Sequence, residues 1–70
     1  MWESFIVPEF IVEWDTVANN YMVWRTPSAQ YRKFNTYYDA ICYVYNMAYN
    51  GALELSLESI IKLTKEYNKI

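Results

Sequence analysis

Seventy residues, 54% hydrophobic and 20% aromatic, with six bases, eight acids and no histidine, are enough for one domain spanning 1–70 and no more. A net charge of −2 is too small for bulk nucleic-acid binding or for a convincing DNA mimic, and the single cysteine, Cys42, excludes an internal disulfide and favours a reducing compartment. A chain this short buries only about 60% of its unfolded surface, so a dense aromatic core or assembly with another chain must supply stability.

By its composition the first segment is not expected to be a targeting signal. Met1-Trp2-Glu3-Ser4 lacks a basic region, Pro8 interrupts the apolar start, and Glu9 and Glu13 follow. No apolar run approaches the roughly 20 residues of a membrane span. A soluble, cytoplasmic chain with no membrane partner is expected.

Phe10 to Trp14 alternates as a strand does, with Phe10, Val12 and Trp14 on one face. Tyr21 to Thr26 alternates again, with Met22 and Trp24 on one face, and Val17-Ala18-Asn19-Asn20 between them is turn material. A three-residue loop, Ala18 to Asn20, brings the apolar sets together, setting Trp14 across from Trp24, Thr16 from Met22 and Glu13 from Arg25. A third short strand is expected within residues 30–35.

Two helices follow. Thr36-Tyr37-Tyr38-Asp39 fits an N-terminal capping box in its acidic variant, Tyr37, Ala40, Ile41, Val44 and Ala48 recur at helical spacing, and Gly51 after Asn50 is a left-handed stop. Ser56 caps the second helix, which carries Leu57, Ile60, Ile61, Leu63, Thr64 and Tyr67 on one face and Glu58, Lys62, Lys65, Glu66 and Lys69 on the other. The expected class is α+β: an N-terminal antiparallel hairpin, with the third strand, packed against two α-helices.

Charge is distributed unevenly. Residues 1–15 hold Glu3, Glu9, Glu13 and Asp15 without a base, whereas residues 16–38 hold Arg25, Arg32 and Lys33 without an acid. The simpler expectation is that the two segments pair as strands and neutralise each other; the alternative is a recognition feature.

Catalytic residue types are scarce. Without histidine the chain lacks the commonest general base and metal ligand, one cysteine makes no zinc cage, and one glycine makes no phosphate loop. Cys42 sits among apolar neighbours as a small packed side chain, and Glu54 and Glu58 lie at a helix start, where acids complement the dipole. The expectation is no enzyme activity, no cofactor and no metal site.

Helix 1 has more apolar surface than one packing face requires. Beside the core stripe lie Tyr38, Cys42, Tyr45 and Tyr49, and on the other flank Tyr43 and Met47. The structural reading makes the tyrosines amphipathic core edges; the functional reading makes Tyr38, Tyr45, Tyr49, Tyr43 and Met47 a protein-contact surface or the face of a two-fold homodimer. A second surplus, Trp24, Arg25, Tyr31, Arg32 and Lys33 within residues 24–34, interleaves aromatics with bases as single-stranded nucleic-acid binders do.

The run Phe34-x-Thr36-x-x-Asp39-Ala40 resembles the helix opening of small sheet-and-helix domains of varied role, and it implies fold alone. Asn, Ile, Tyr, Lys, Met and Phe fill 30 of 70 positions, while Gly, Ala, Pro and Arg fill ten. In that style the chain resembles the accessory proteins of phages and other mobile elements, anti-CRISPR and other anti-defence inhibitors among them. The resemblance implies a protein-binding inhibitor or modulator that occludes a host protein. The alternative is a small nucleic-acid-binding accessory domain.

Overall fold

The computed structural model describes residues 3–25 and 31–69, which form β1 (Phe5–Val7), β2 (Phe10–Asp15), β3 (Asn20–Arg25), β4 (Tyr31–Phe34), α1 (Tyr37–Tyr49) and α2 (Leu57–Lys69). The strands make one antiparallel sheet in the order β1-β2-β3-β4, and the fold is α+β. The expected hairpin is its centre and the expected third strand is β4; Gln30, included in that expectation, lies outside the described residues. The additional strand is β1, joined to β2 by the Pro8-Glu9 turn, which pairs Val7 with Phe10. Neither turn residue has a positive φ, so the turn is of the unprimed kind that proline favours and that splays strands, in keeping with a β1 of three residues.

The β2–β3 register differs from the expected one. Trp14 lies across from Tyr21, Val12 from Val23 and Phe10 from Arg25, while Glu13 faces Met22 and Ile11 faces Trp24. The loop is Thr16 to Asn19, and its chemistry sets the register. The Asp15 Oδ1 accepts from the Val17 N–H at 2.9 Å and the Ala18 N–H at 3.2 Å, the Asn19 N–H donates to the Asp15 carbonyl at 2.8 Å, and Asn19 takes the left-handed conformation at φ 63°. The side-chain period of a strand is two, so a slip of three residues turns β3 over. Tyr21 and Val23 therefore face the core, and Met22 and Trp24 face the other side of the sheet.

Both helices cover the face that carries Phe10, Val12 and Val23, which with Ile41, Val44 and Leu63 are closed to solvent. The α1 caps form as expected: the Thr36 Oγ1 accepts from the Asp39 N–H at 3.1 Å, and at the other end the Ala52 N–H donates to the Met47 carbonyl at 3.0 Å around Gly51, at φ 83°. Ser56 caps α2, accepting from the Ser59 N–H at 3.3 Å. The inward face of α2 is rotated from the expected one: Leu57 and Ile61 are 74% and 47% exposed, whereas Ser59 and Leu63 are buried. Two polar anchors account for this. The Ser59 hydroxyl donates to the Glu9 Oε1 at 2.6 Å, and the buried Tyr37 hydroxyl donates to the Glu66 carboxylate. Ser59, Leu63 and Glu66 share one helical stripe, so satisfying both anchors turns Leu57 and Ile61 outward.

Candidate functional site

Alternation along β3 and β4 distributes the aromatic and basic side chains over both faces of the sheet. On the helix side, Val23 pairs with Arg32 and Tyr21 with Phe34; on the open side, Trp24 pairs with Tyr31 and Met22 with Lys33. The five residues expected to act as one nucleic-acid surface thus divide into two groups. Arg25 and Arg32 lie with the helices, and Trp24, Tyr31 and Lys33 lie on the open face.

The open face carries a row of apolar side chains from edge to edge, Ile6, Ile11, Trp24 and Tyr31, in register across all four strands among the described residues. Trp24 and Tyr31 have ring centroids 5.0 Å apart, and the Lys33 ammonium lies 5.7 Å from the Tyr31 centroid. The indole Nε1 of Trp24 and the Oδ1 of Asn20 are buried without a hydrogen-bond partner among the described residues.

On the helix side, the tyrosines of α1 also divide. Tyr45 stacks on Tyr67 of α2, centroids 3.9 Å apart and planes 4° from parallel, and lies 4.5 Å from the ring of Tyr49. This flank is therefore largely an intramolecular helix contact, although Tyr38 and Tyr49 remain 51% and 63% exposed. Its hydroxyls influence one another: hydrogen bonding with Cys42 raises the Tyr38 pKa, hydrogen bonding with Tyr49 raises that of Tyr45, and hydrogen bonds from Thr64 and then Tyr45 lower that of Tyr49.

Tyr43 and Met47 lie on the flank of α1 that α2 leaves uncovered. Tyr43 packs on Phe34 with centroids 5.0 Å apart, and the Arg32 guanidinium lies 5.6 Å from the Tyr43 centroid, within cation–π range. Together with Val23, Arg25, Met47 and, from the alternate positions of β4, Tyr31 and Lys33, these residues line an open concavity of about 890 Å³ beside β4. Sequence reasoning placed Phe34 in the third strand, in the aromatic and basic segment 24–34 and at the helix opening, but not with Tyr43 and Met47. Its signal was the two-residue alternation with Arg32, which puts both on one face of a strand.

The expected neutralisation of the charged segments does not occur within the fold. β2 and β3 do pair, but Glu13 meets Met22 and Arg25 meets Phe10. Glu9 is held instead by α2, its two oxygens accepting from the Ser56 N–H at 2.9 Å and the Ser59 hydroxyl, and these bonds hold its pKa below the usual carboxylate value. Among the described residues the ion pair is Lys69 with Glu66, at 3.2 Å. Arg25, Arg32 and Lys33 have no carboxylate partner there.

No group of three Cys, Asp or Glu side chains that could hold a metal ion occurs among the described residues, and no helix among them is long and apolar enough to cross a membrane. No protein family, curated protein or solved structure matches the chain.

Proposed function

We propose that this chain is a small protein-binding module, an inhibitor or modulator of a host protein of the kind that phages carry, acting in the cytoplasm by occlusion. The observation that carries the reading is the site built by Tyr43, Met47, Phe34 and Arg32. An aromatic, a methionine and an arginine, the side chains enriched at protein interfaces, converge around an open concavity that no other described element fills. Tyr38 and Tyr49 form the secondary part of the contact surface. Tyr45, half-buried against Tyr67, borders that surface, and a homodimer through the same flank is its alternative use.

The nucleic-acid reading has less support. A strand that stacks its bases on Trp24 and Tyr31 has Lys33 nearest for its phosphates, beside the acids Glu13 and Asp15, and reaches Arg25 and Arg32 only around the β4 edge, where Tyr31 and Lys33 border the same concavity. The tagged chain incubated with bacterial lysate, with and without nuclease treatment, is expected to retain in both cases one protein that the Tyr43→Asp and Met47→Glu variants, shown folded by circular dichroism, do not retain. Retention that nuclease abolishes, or that both variants preserve, overturns the reading.

A further inference from the structure

Among the described residues the bases of the 16–38 segment have no carboxylate partner; Arg32 and Lys33 lie instead over the rings of Tyr43 and Tyr31. Every acid of the chain lies at or before Asp15 or at or after Asp39, and three of them are held elsewhere: Glu9 by Ser56 and Ser59, Glu66 by Tyr37 and Lys69, and Asp15 by the backbone of its own turn. Arg25 and Arg32 therefore border the concavity as uncompensated cations above a floor of Val23, Phe34, Tyr43 and Met47.

The same concavity runs along a free sheet edge. β4 pairs with β3 on one side, and no turn, loop or cap hydrogen bond involves its backbone on the other among the described residues. Such an edge is a template for a further strand. A second copy of β4 is a poor occupant, because any antiparallel self-pairing of Tyr31-Arg32-Lys33-Phe34 brings bases beside bases. A nucleic acid has no backbone pattern that matches the edge. An extended acidic peptide satisfies both the edge and the cations.

From this charge complementarity we propose that β4 and the concavity beside it receive an extended acidic segment of the partner protein, which adds to the sheet as a fifth strand. Alternate residues of the segment point to the helix side, where carboxylates meet Arg25 and Arg32 and a large apolar side chain packs on Phe34, Tyr43 and Met47. The inference rests on the protein-binding reading and names the chemistry of its partner. Lys33, on the opposite face, contributes less than Arg32.

The test uses the full chain and three labelled probes: a peptide of about ten residues in which glutamates and one phenylalanine occupy every second position with threonine between them, its counterpart with lysine in place of glutamate, and a thymidine oligonucleotide of about ten nucleotides, followed by fluorescence anisotropy. The acidic peptide is expected to bind and the lysine peptide not. Arg32→Glu, at an exposed position, is expected to weaken binding about tenfold or more, Lys33→Glu to weaken it less, and the Arg25→Glu/Arg32→Glu double variant to prefer the lysine peptide. A preference inverted by charge reversal requires a folded protein, so it separates recognition from unfolding. Amides on the free side of β4 are expected to gain exchange protection with the acidic peptide. Equal binding of the two peptides, acidic-peptide binding that survives Arg32→Glu, or tighter binding of the oligonucleotide overturns the assignment. If the assignment fails while lysate capture still depends on Tyr43, the protein-binding reading stands without it; loss of that dependence removes both.

Discussion

Trp14 lies directly across from Tyr21, their ring centroids 5.0 Å apart and their planes at 71°, and Tyr21 in turn reaches Tyr37 of α1 at 5.5 Å. This edge-on contact joins the hairpin to the first helix, and its register settles which side chains of β3 the core receives. Val23 becomes core and Trp24 lies half-buried on the opposite face of the sheet, its indole nitrogen buried without a hydrogen-bond partner among the described residues.

The register has a direct mutational signature. Val23→Asp places an unpaired charge in the closed core and is expected to abolish cooperative unfolding in a domain whose whole stability is on the order of 5 kcal/mol. Trp24→Ala, on the open face, is expected to fold and to unfold cooperatively in urea at a lower midpoint. The reverse ranking contradicts the register.

Glu9 joins the β1–β2 turn to the start of α2 through two charge-assisted hydrogen bonds. Glu9→Gln keeps an acceptor but loses the charge, and is expected to cost about 1–2 kcal/mol by urea denaturation at neutral pH. The sign of the pH dependence follows from the lowered pKa. The folded state holds the proton less tightly than the unfolded chain, so the contribution is fully present above the ordinary carboxylate range and is lost as pH falls through the lower, folded value. The gap between wild type and Glu9→Gln is therefore expected to close on acidification. A gap that persists at low pH indicates a steric role.

Tyr37 is pushed up by burial first and then by its hydrogen bond to the Glu66 carboxylate, while the hydrogen bond from Thr64 draws Tyr49 down. A raised phenol pKa stabilises the fold below the unfolded value and ceases to do so as pH rises through the folded one. Near-ultraviolet titration is expected to show Tyr49 ionising early and Tyr37 resisting until the protein unfolds. Tyr49→Phe removes the early phase and Tyr37→Phe the late one; an unchanged late phase in Tyr37→Phe refutes the assignment.

The two flanks of α1 are expected to separate stability from binding. Tyr45→Ala removes the ring stacked on Tyr67 and is expected to lower stability by about 2 kcal/mol. Tyr43→Ala exposes one side of Phe34 and is expected to cost less stability but to impair partner capture. Equal effects of both substitutions on both readouts show that the flanks are not distinct.

Local chemistry made much of this fold legible in the sequence. Thr36 with Asp39, Gly51 after Asn50, and Ser56 each mark a helix boundary through a bond or a backbone conformation that few other residues provide. The strand positions were readable for the same reason, as period-two alternation. Register was not, because it depended on competition between two loops, and the Asx turn of Asp15 with left-handed Asn19 prevailed over the pairing of Trp14 with Trp24. The candidate site inherits that history. Tyr43 and Met47 stood out as surplus on α1, and Arg25 and Arg32 as unbalanced charge. That these border one concavity, which Tyr31 and Lys33 also border from the alternate positions of β4, follows only once the strands are placed. Ser59 and Glu66 show the opposite limit: Glu66, which looked solvent-facing, and Ser59, which carried no signal, set the rotation of α2 through partners more than 25 residues away in sequence.

The central claim is that the partner touches the concavity formed by Tyr43, Met47, Phe34 and Arg32, and site-specific photo-crosslinking tests it most directly. A photoreactive phenylalanine placed at Met47 is expected to crosslink the captured protein, and the same group placed at Glu58, on the exposed face of α2, is expected not to. Crosslinking from Glu58 with none from Met47 contradicts the account.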